Sequence, residues 1–168
     1  INAFWILPTS NYILQNIPTG QSIGKIGFNN WVDSLSENTS LLNVMRMQGA
    51  WDWYAFDSLT GLPLYIPYAL NYFYNNIFIL FSFSITAMSI LGLLLYDKKK
   101  KQLVLFFGTL FVIGIFLGTG THLPTGDVYR WFLDHVPFFS LFRSPWYIFT
   151  PLLILAIAGL CSLFFERL

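Results

Sequence analysis

The sequence predicts an all-α protein: a polytopic helical integral membrane protein fragment with three transmembrane helices and outer-face loops that contain interfacial helices. Three observations support this class. Of the 168 residues, 55% are hydrophobic and only 10% are charged, whereas soluble domains carry about 25% charged residues. Three uncharged stretches have the length of a bilayer crossing, and a run of lysines separates the first two.

The three predicted transmembrane helices cover residues 77–96, 102–120 and 146–165. At a rise of about 1.5 Å per residue, a helix of this length matches a hydrocarbon core of about 30 Å. Lipid offers no hydrogen bonds, and a helix satisfies its backbone groups within one segment. Residues 77–168 therefore form one unit of three α-helices.

Residues 1–76 are expected to hold the outer end of a truncated helix, followed by an outer-face loop segment. Residues 1–17 are uncharged, but Pro8 interrupts them and Asn is frequent, which suits part of a crossing better than a whole one. The chain also starts on apolar residues without a basic leader and stops after a hydrophobic run. We therefore expect a piece of a larger polytopic protein, whose remaining part is a partner.

The charges predict an orientation. Asp97 and the run Lys98–Lys101 fill the short connection between the first two predicted helices. Loops rich in Lys and Arg stay in the cytoplasm, so residues 97–101 are predicted to be cytoplasmic and residues 121–145 outside. Nine Lys and Arg balance eight Asp and Glu, and four of the nine lie in this one run. No basic face is left for a nucleic acid.

The outer loop 121–145 predicts a short helix over residues 126–135, with Thr125 or Asp127 as its N-cap. Arg130 and Asp134 are spaced to pair across one turn. One face would carry Val128, Trp131, Phe132 and His135. A short helix with such a face is typical of segments that lie in the membrane interface.

Arg143 directly precedes Ser144 and Pro145, which suit the N-cap and first position of the third helix. Two interpretations compete. Arg143 anchors the loop, through lipid phosphates or through Asp127 or Asp134. Alternatively, the guanidinium and the helix N-terminus together bind a phosphate or diphosphate that arrives from the membrane. An arginine outside runs against the charge bias, which favours the second interpretation.

The weaker candidates are His122 and Arg130 as further phosphate contacts, and Trp51 and Asp52 as sugar contacts. Aromatic faces beside a hydrogen-bonding acid are suited to hold a sugar ring, although interface anchoring explains the same residues. No second His or carboxylate lies at metal-ligand spacing, and Cys161 stands alone in an apolar run. We therefore predict neither a metal nor a cofactor.

The stretch HLPTGDVYRWFLDHVPFFSLFRSPWYIFTPLLILAIAGL resembles the end of the membrane region in polytopic glycosyltransferases of the GT-C type. The most similar families are the α-(1→3)-arabinofuranosyltransferase-like proteins and the YfhO-like membrane proteins. NAFWILP near the start and MRMQGAW at 45–51 are also similar to their outer-face segments. The matching positions are Pro124, Gly126, Tyr129, Pro137, Phe139, Phe142, Arg143 and Pro145.

The resemblance implies an enzyme of the cell envelope that transfers a sugar from a polyprenyl-phosphate donor at the outer face of a prokaryotic plasma membrane. Members of this class carry their catalytic carboxylate in the first outer loop. We find no match to that acidic motif here, so the catalytic residue is expected outside this chain. Asp52 is not taken as a substitute.

Two other hypotheses belong to different classes: a segment of a transporter or flippase for a lipid or lipid-linked sugar, and a non-catalytic membrane assembly module. Coupled transporters usually place ionisable groups near the middle of the membrane. The three predicted helices contain no Asp, Glu, Lys or Arg before Glu166. This composition favours the transferase hypothesis.

The predicted topology can be tested by cysteine labelling. In a Cys161→Ala background, Lys99→Cys should stay unlabelled by an impermeant maleimide in intact cells and react after permeabilisation. Ser140→Cys in the loop 121–145 serves as the matched control and should react in intact cells. Labelling of position 99 in intact cells would overturn the orientation.

Overall fold

The structure is a computed structural model that describes the backbone of residues 24–167 and the side chains of residues 27–167 except Leu70. The predicted truncated helix at residues 1–17 lies outside the described residues. The helices are α1 Gly24–Ser36, α2 Leu41–Met45, α3 Ala69–Phe73, α4 Asn76–Ser82, α5 Ser84–Leu94, α6 Lys101–Gly118, α7 Gly126–His135 and α8 Pro145–Arg167. Short 3₁₀ turns lie at Trp51–Tyr54, Lys98–Lys100 and Phe139–Phe142.

The described residues form no strand, and their only β pairing is an isolated bridge between Phe56 and Pro63. The all-α prediction is confirmed. Short runs of aromatic and β-branched residues therefore do not form strands in the described part of the chain.

Three helical stretches are long and apolar enough to cross a membrane: Asn76–Leu94, Lys98–Gly118 and Pro145–Arg167. They agree with the predicted crossings to within a few residues and are called the first, second and third spans below. The first span consists of α4 and α5, which are separated at Phe83. The class of helical membrane protein that composition and length predicted is confirmed.

The third span is the centre of the bundle, because α8 packs along both α6 and α5 while these two touch each other little. Gly92 of α5 lies directly against the backbone carbonyl of Leu160, and a methyl group on Gly114 of α6 would come within 3.1 Å of Leu153. Such small residues let helix backbones approach closely, which stabilises helix pairs in lipid through van der Waals contact. The buried α8 residues of this core are Trp146, Leu153, Ala156, Ile157 and Leu160.

The ends of the bundle differ in charge. At the lysine end, the Asp97 carboxylate accepts a hydrogen bond of 3.0 Å from the backbone N–H of Lys99 and so fixes the turn between the first two spans. Lys100 forms an ion pair with Glu166 near the end of α8. At the opposite end, called the loop end here, residues 24–75 and 119–144 cover the spans.

We predict that Gly92→Ala lowers the free energy of unfolding by about 1 to 3 kcal/mol, because the added methyl group overlaps the Leu160 backbone and forces α5 away from α8. Thermal unfolding in detergent measures the change. Gly108→Ala is the matched control, since its methyl group would meet only the end of the Leu93 side chain. An equal loss of stability in both variants would contradict the close-packing interpretation.

Candidate binding site at the loop end

Residues 41–54, called the plug here, form the centre of the loop end. Ser40 directly precedes the plug as the N-cap of α2, and its hydroxyl accepts a hydrogen bond of 3.3 Å from the backbone N–H of Asn43. The helix ends at Arg46, and Met47 follows with a φ of 60°, in the left-handed region. After this turn, Gly49 lies against Trp146 of the third span and Ala50 is fully buried.

The plug contacts the first and second spans through α2. The Met45 carbonyl accepts a hydrogen bond from the hydroxyl of Thr86, a buried residue of α5. Val44 is fully buried, and a methyl group on Gly118 would lie 3.3 Å from its side chain. A side-chain hydrogen bond therefore ties the plug to the first span, and apolar packing ties it to the second.

The contact with the third span is the closest of the three. A methyl group on Gly49 would lie 2.6 Å from Cε3 of Trp146, so only glycine allows the backbone to rest on the indole ring. Trp146 is 5% exposed and belongs to the same buried cluster as Ala50. The segment after Gly49 is thereby fixed at the start of α8.

Asp52, predicted as a sugar contact, lies at this start of α8. The 3₁₀ turn Trp51–Tyr54 presents its carboxylate to Tyr147, whose hydroxyl donates a hydrogen bond to it. Trp51 makes an edge-on contact with Tyr65, with the ring centroids 6.1 Å apart. Asp52 is therefore already oriented by a hydrogen bond, and Trp51 has an aromatic neighbour.

Arg143 is exposed and lies four residues before Tyr147. Its guanidinium carbon lies 4.8 Å from the ring centroid of Trp31, in a cation–π arrangement. The sequence suggested lipid phosphates, Asp127 or Asp134 as anchors, and Trp31 of α1 was not foreseen. The structure thus brings Arg143 and the Asp52–Tyr147 pair to the same end of the same helix.

Arg130 is bound to α1. Its Nη2 donates to Oδ1 of Asp33 at 3.0 Å, and both side chains are between one third and one half exposed. Asp33 is 97 residues away in sequence, so spacing within the loop could not indicate this partner. Through Trp31 and Asp33, α1 holds both arginines of the loop 121–145.

His122 takes no part in this arrangement. Its Nδ1 lies 2.7 Å from the carbonyl oxygen of the adjacent Leu123. In residues 27–167, no hydrogen bond or ion pair joins His122 to Arg130 or Arg143. Of the three residues predicted to contact a phosphate, Arg143 and Arg130 therefore contact side chains of α1, whereas His122 contacts the backbone of its neighbour Leu123.

The helix predicted over residues 126–135 is confirmed as α7, Gly126–His135. Of the two predicted N-cap residues, Thr125 occupies the position, but its side chain forms no capping hydrogen bond, and its hydroxyl lies 2.8 Å from that of Thr119. Trp131 is exposed and stacks on His135 with centroids 5.1 Å apart. The exposed face of α7 therefore carries the aromatic residues that a membrane interface favours.

Tyr129 fixes α7 to the segment before the third span. Its side chain is fully buried, and its hydroxyl donates a hydrogen bond of 2.6 Å to the carbonyl of Phe142, the residue before Arg143. The ring of Phe139 lies edge-on at 5.2 Å. Burial raises the pKa of Tyr129, so the hydroxyl stays a donor over the physiological pH range.

Sequence reasoning missed a buried polar group in the plug. Nε of Arg46 donates to Oδ1 of Asn43 at 3.0 Å, and Nη2 donates to the Tyr54 hydroxyl at 3.1 Å. The Tyr54 hydroxyl in turn donates to the Gln48 carbonyl at 2.8 Å. Burial raises the pKa of Tyr54, and the charge of Arg46 partly offsets that rise. The one available signal was a basic residue inside an otherwise uncharged stretch, LLNVMRMQGAW.

The chain matches no protein-family model, no curated protein and no solved structure. Its class therefore follows from its own structure: an all-α protein with three helices of membrane-crossing length and composition. Within residues 24–167, no group of three His, Cys, Asp or Glu is placed to hold a metal ion.

We predict that Tyr129→Phe destabilises the segment between α7 and α8 by about 1 kcal/mol, because the Phe142 carbonyl loses its donor. Hydrogen exchange of residues 138–143 should become roughly fivefold faster, by conversion of that free energy. Tyr68→Phe, at an exposed hydroxyl, is the control and should leave this segment unchanged. Unchanged exchange in both variants would show that packing alone fixes Tyr129.

Proposed function

We propose that this chain is part of a GT-C type membrane glycosyltransferase that binds a polyprenyl-phosphate-linked sugar at the outer face of a prokaryotic plasma membrane. In this proposal the loop end faces outward and the lysine end is cytoplasmic. The positive charge of Lys98–Lys101 supports the orientation. The resemblance of residues 122–160 to the end of the membrane region in such enzymes supports the activity.

The proposal depends mainly on one observation: Asp52 is hydrogen-bonded to Tyr147 in the first turn of α8, and Arg143 lies four residues before Tyr147 in the chain. In a polyprenyl-phosphate sugar, the phosphate and the sugar are covalent neighbours, and the lipid tail keeps both at the membrane surface. A cation and a hydrogen-bonding acid at the end of one membrane span match that arrangement. The exposed apolar surface of the spans is available to the tail.

Arg143 is suited to the phosphate. The guanidinium carbon lies 4.8 Å from the centroid of the Trp31 ring, and a guanidinium in a cation–π contact can still donate hydrogen bonds to oxygen atoms. A planar fork of N–H groups can bind two phosphate oxygens at once. The contact with Trp31 also limits the rotation of the side chain, which lowers the entropy cost of binding.

Asp52 is suited to a sugar hydroxyl. Tyr147 donates to its carboxylate, so the acid is held in place and retains further acceptor positions. The neighbouring Trp51 can contribute an aromatic face for the C–H groups of a sugar ring. In this proposal Asp52 binds and orients the sugar, while the catalytic carboxylate belongs to another part of the parent protein.

We expect Arg143→Gln in the full-length protein to weaken binding of farnesyl phosphate, a short polyprenyl phosphate, roughly ten- to a hundredfold. The physical reason is the loss of a charge-assisted contact. The affinity of Arg143→Lys for farnesyl phosphate should lie between those of Arg143→Gln and the parent, because lysine keeps the charge but lacks the planar fork. Isothermal titration in nanodiscs measures the affinities.

Arg130→Gln is the matched control, since its guanidinium already pairs with Asp33. It should change the affinity less than threefold. If Arg143→Gln binds farnesyl phosphate as the parent does, or fails to insert into the membrane, Arg143 is a structural anchor. A role in lipid transport or membrane assembly would then be better supported than sugar transfer.

A further inference from the structure

Three consecutive residues of the plug, Arg46, Met47 and Gln48, share an arrangement that the proposed function does not use. Arg46 is 7% exposed and Gln48 is 6% exposed. Nη1 of Arg46 and Oε1 of Gln48 are both buried and have no hydrogen-bond partner. One is a donor and the other an acceptor, so a single ligand could satisfy both.

The charge of Arg46 makes this arrangement costly. A guanidinium stays protonated in proteins, and a buried cation is normally paired with an anion. The two partners of Arg46 are the neutral side chains of Asn43 and Tyr54. Within the described part of the chain, no carboxylate forms an ion pair with it. The plug therefore holds an uncompensated positive charge beside the membrane spans.

The backbone holds these residues in place. Met47 has a φ of 60°, which is unfavourable for a residue with a side chain. Strained residues of this kind persist where neighbouring contacts over-determine the structure, and they concentrate at binding sites. The Met45 bond to Thr86 on one side and the Gly49 contact with Trp146 on the other supply that constraint.

We propose that Arg46 and Gln48 bind a phosphodiester monoanion that carries a hydroxyl group. Nη1 of Arg46 donates to a phosphate oxygen, and Oε1 of Gln48 accepts from the hydroxyl. A single negative charge matches the single buried guanidinium. Phosphodiesters are the anions that a membrane surface supplies, and the plug packs on Gly118 and Trp146 at the ends of the second and third spans. The site does not depend on Arg143 or on glycosyl transfer.

Binding requires local movement of the plug, because Nη1 and Oε1 are both closed to solvent. The left-handed turn at Met47 is the point at which the backbone can relax when the ligand is bound. We therefore expect hydrogen exchange at residues 46–50 to change on binding, whereas exchange in the middle of the spans stays constant.

The test uses the whole chain in phosphatidylcholine nanodiscs and two soluble monoanionic phosphodiesters at constant ionic strength. Glycerophosphoglycerol carries hydroxyl groups, and dimethyl phosphate carries none. Both should raise the unfolding temperature in a saturable way, and glycerophosphoglycerol should bind roughly three- to tenfold more tightly, which corresponds to one neutral hydrogen bond.

Two substitutions separate the contributions. Arg46→Lys keeps a charge but loses the planar fork, so it should weaken the binding of both phosphodiesters roughly tenfold or more. Gln48→Met has a similar volume and no amide acceptor, so it should abolish the preference for glycerophosphoglycerol and leave dimethyl phosphate binding unchanged. Lys100→Gln, which removes a basic side chain paired with Glu166 at the lysine end, is the control and should bind both as the parent does.

The source of the ligand is tested by adding phosphatidylglycerol to the nanodiscs. Loss of the response to glycerophosphoglycerol identifies the lipid headgroup as the occupant, and an unchanged response identifies a soluble phosphodiester. The proposal is overturned if neither compound gives a saturable shift, if sodium acetate gives the same shift, or if Gln48→Met keeps the preference. The last outcome decides the question even if Arg46→Lys fails to fold.

Discussion

The close approach of the third span to the other two is the constraint on which the rest of the structure depends. Gly92 lets α8 lie against α5 at a distance that an added methyl group would prevent, and a methyl group on Gly114 would make a tight contact of 3.1 Å with Leu153 of α8. In lipid, where apolar burial gives little drive for helix association, this contact is the main source of bundle stability. It also fixes where α8 begins at the loop end, and so where Trp146 and Tyr147 lie.

The position of α8 then determines the loop end. Trp146 supports the plug at Gly49, and Tyr147 holds the carboxylate of Asp52. Tyr129 fixes the residue before Arg143. Groups far apart in sequence thereby meet at one helix terminus, and the rigid spans set their spacing. Binding sites on such rigid elements are more sharply defined than sites on free loops.

The three arginines of the loop end show how environment divides the same chemical group into different roles. Arg130 is half exposed and paired with Asp33, an arrangement that contributes little to stability. Arg143 is exposed, and its guanidinium carbon lies 4.8 Å from the centroid of the Trp31 ring. Arg46 is buried among neutral partners and keeps an unsatisfied N–H. The energetic need for an anion is greatest at Arg46.

The sequence by itself determined the three spans and α7, because length, hydropathy and helical periodicity are local properties. It also singled out Arg143 and Asp52 by residue type. Only the tertiary structure decided that Asp33 pairs with Arg130, that Tyr147 orients Asp52, and that Arg46 is buried without an acid. These contacts join residues up to 97 positions apart, and helix packing, which no local pattern encodes, brings them together.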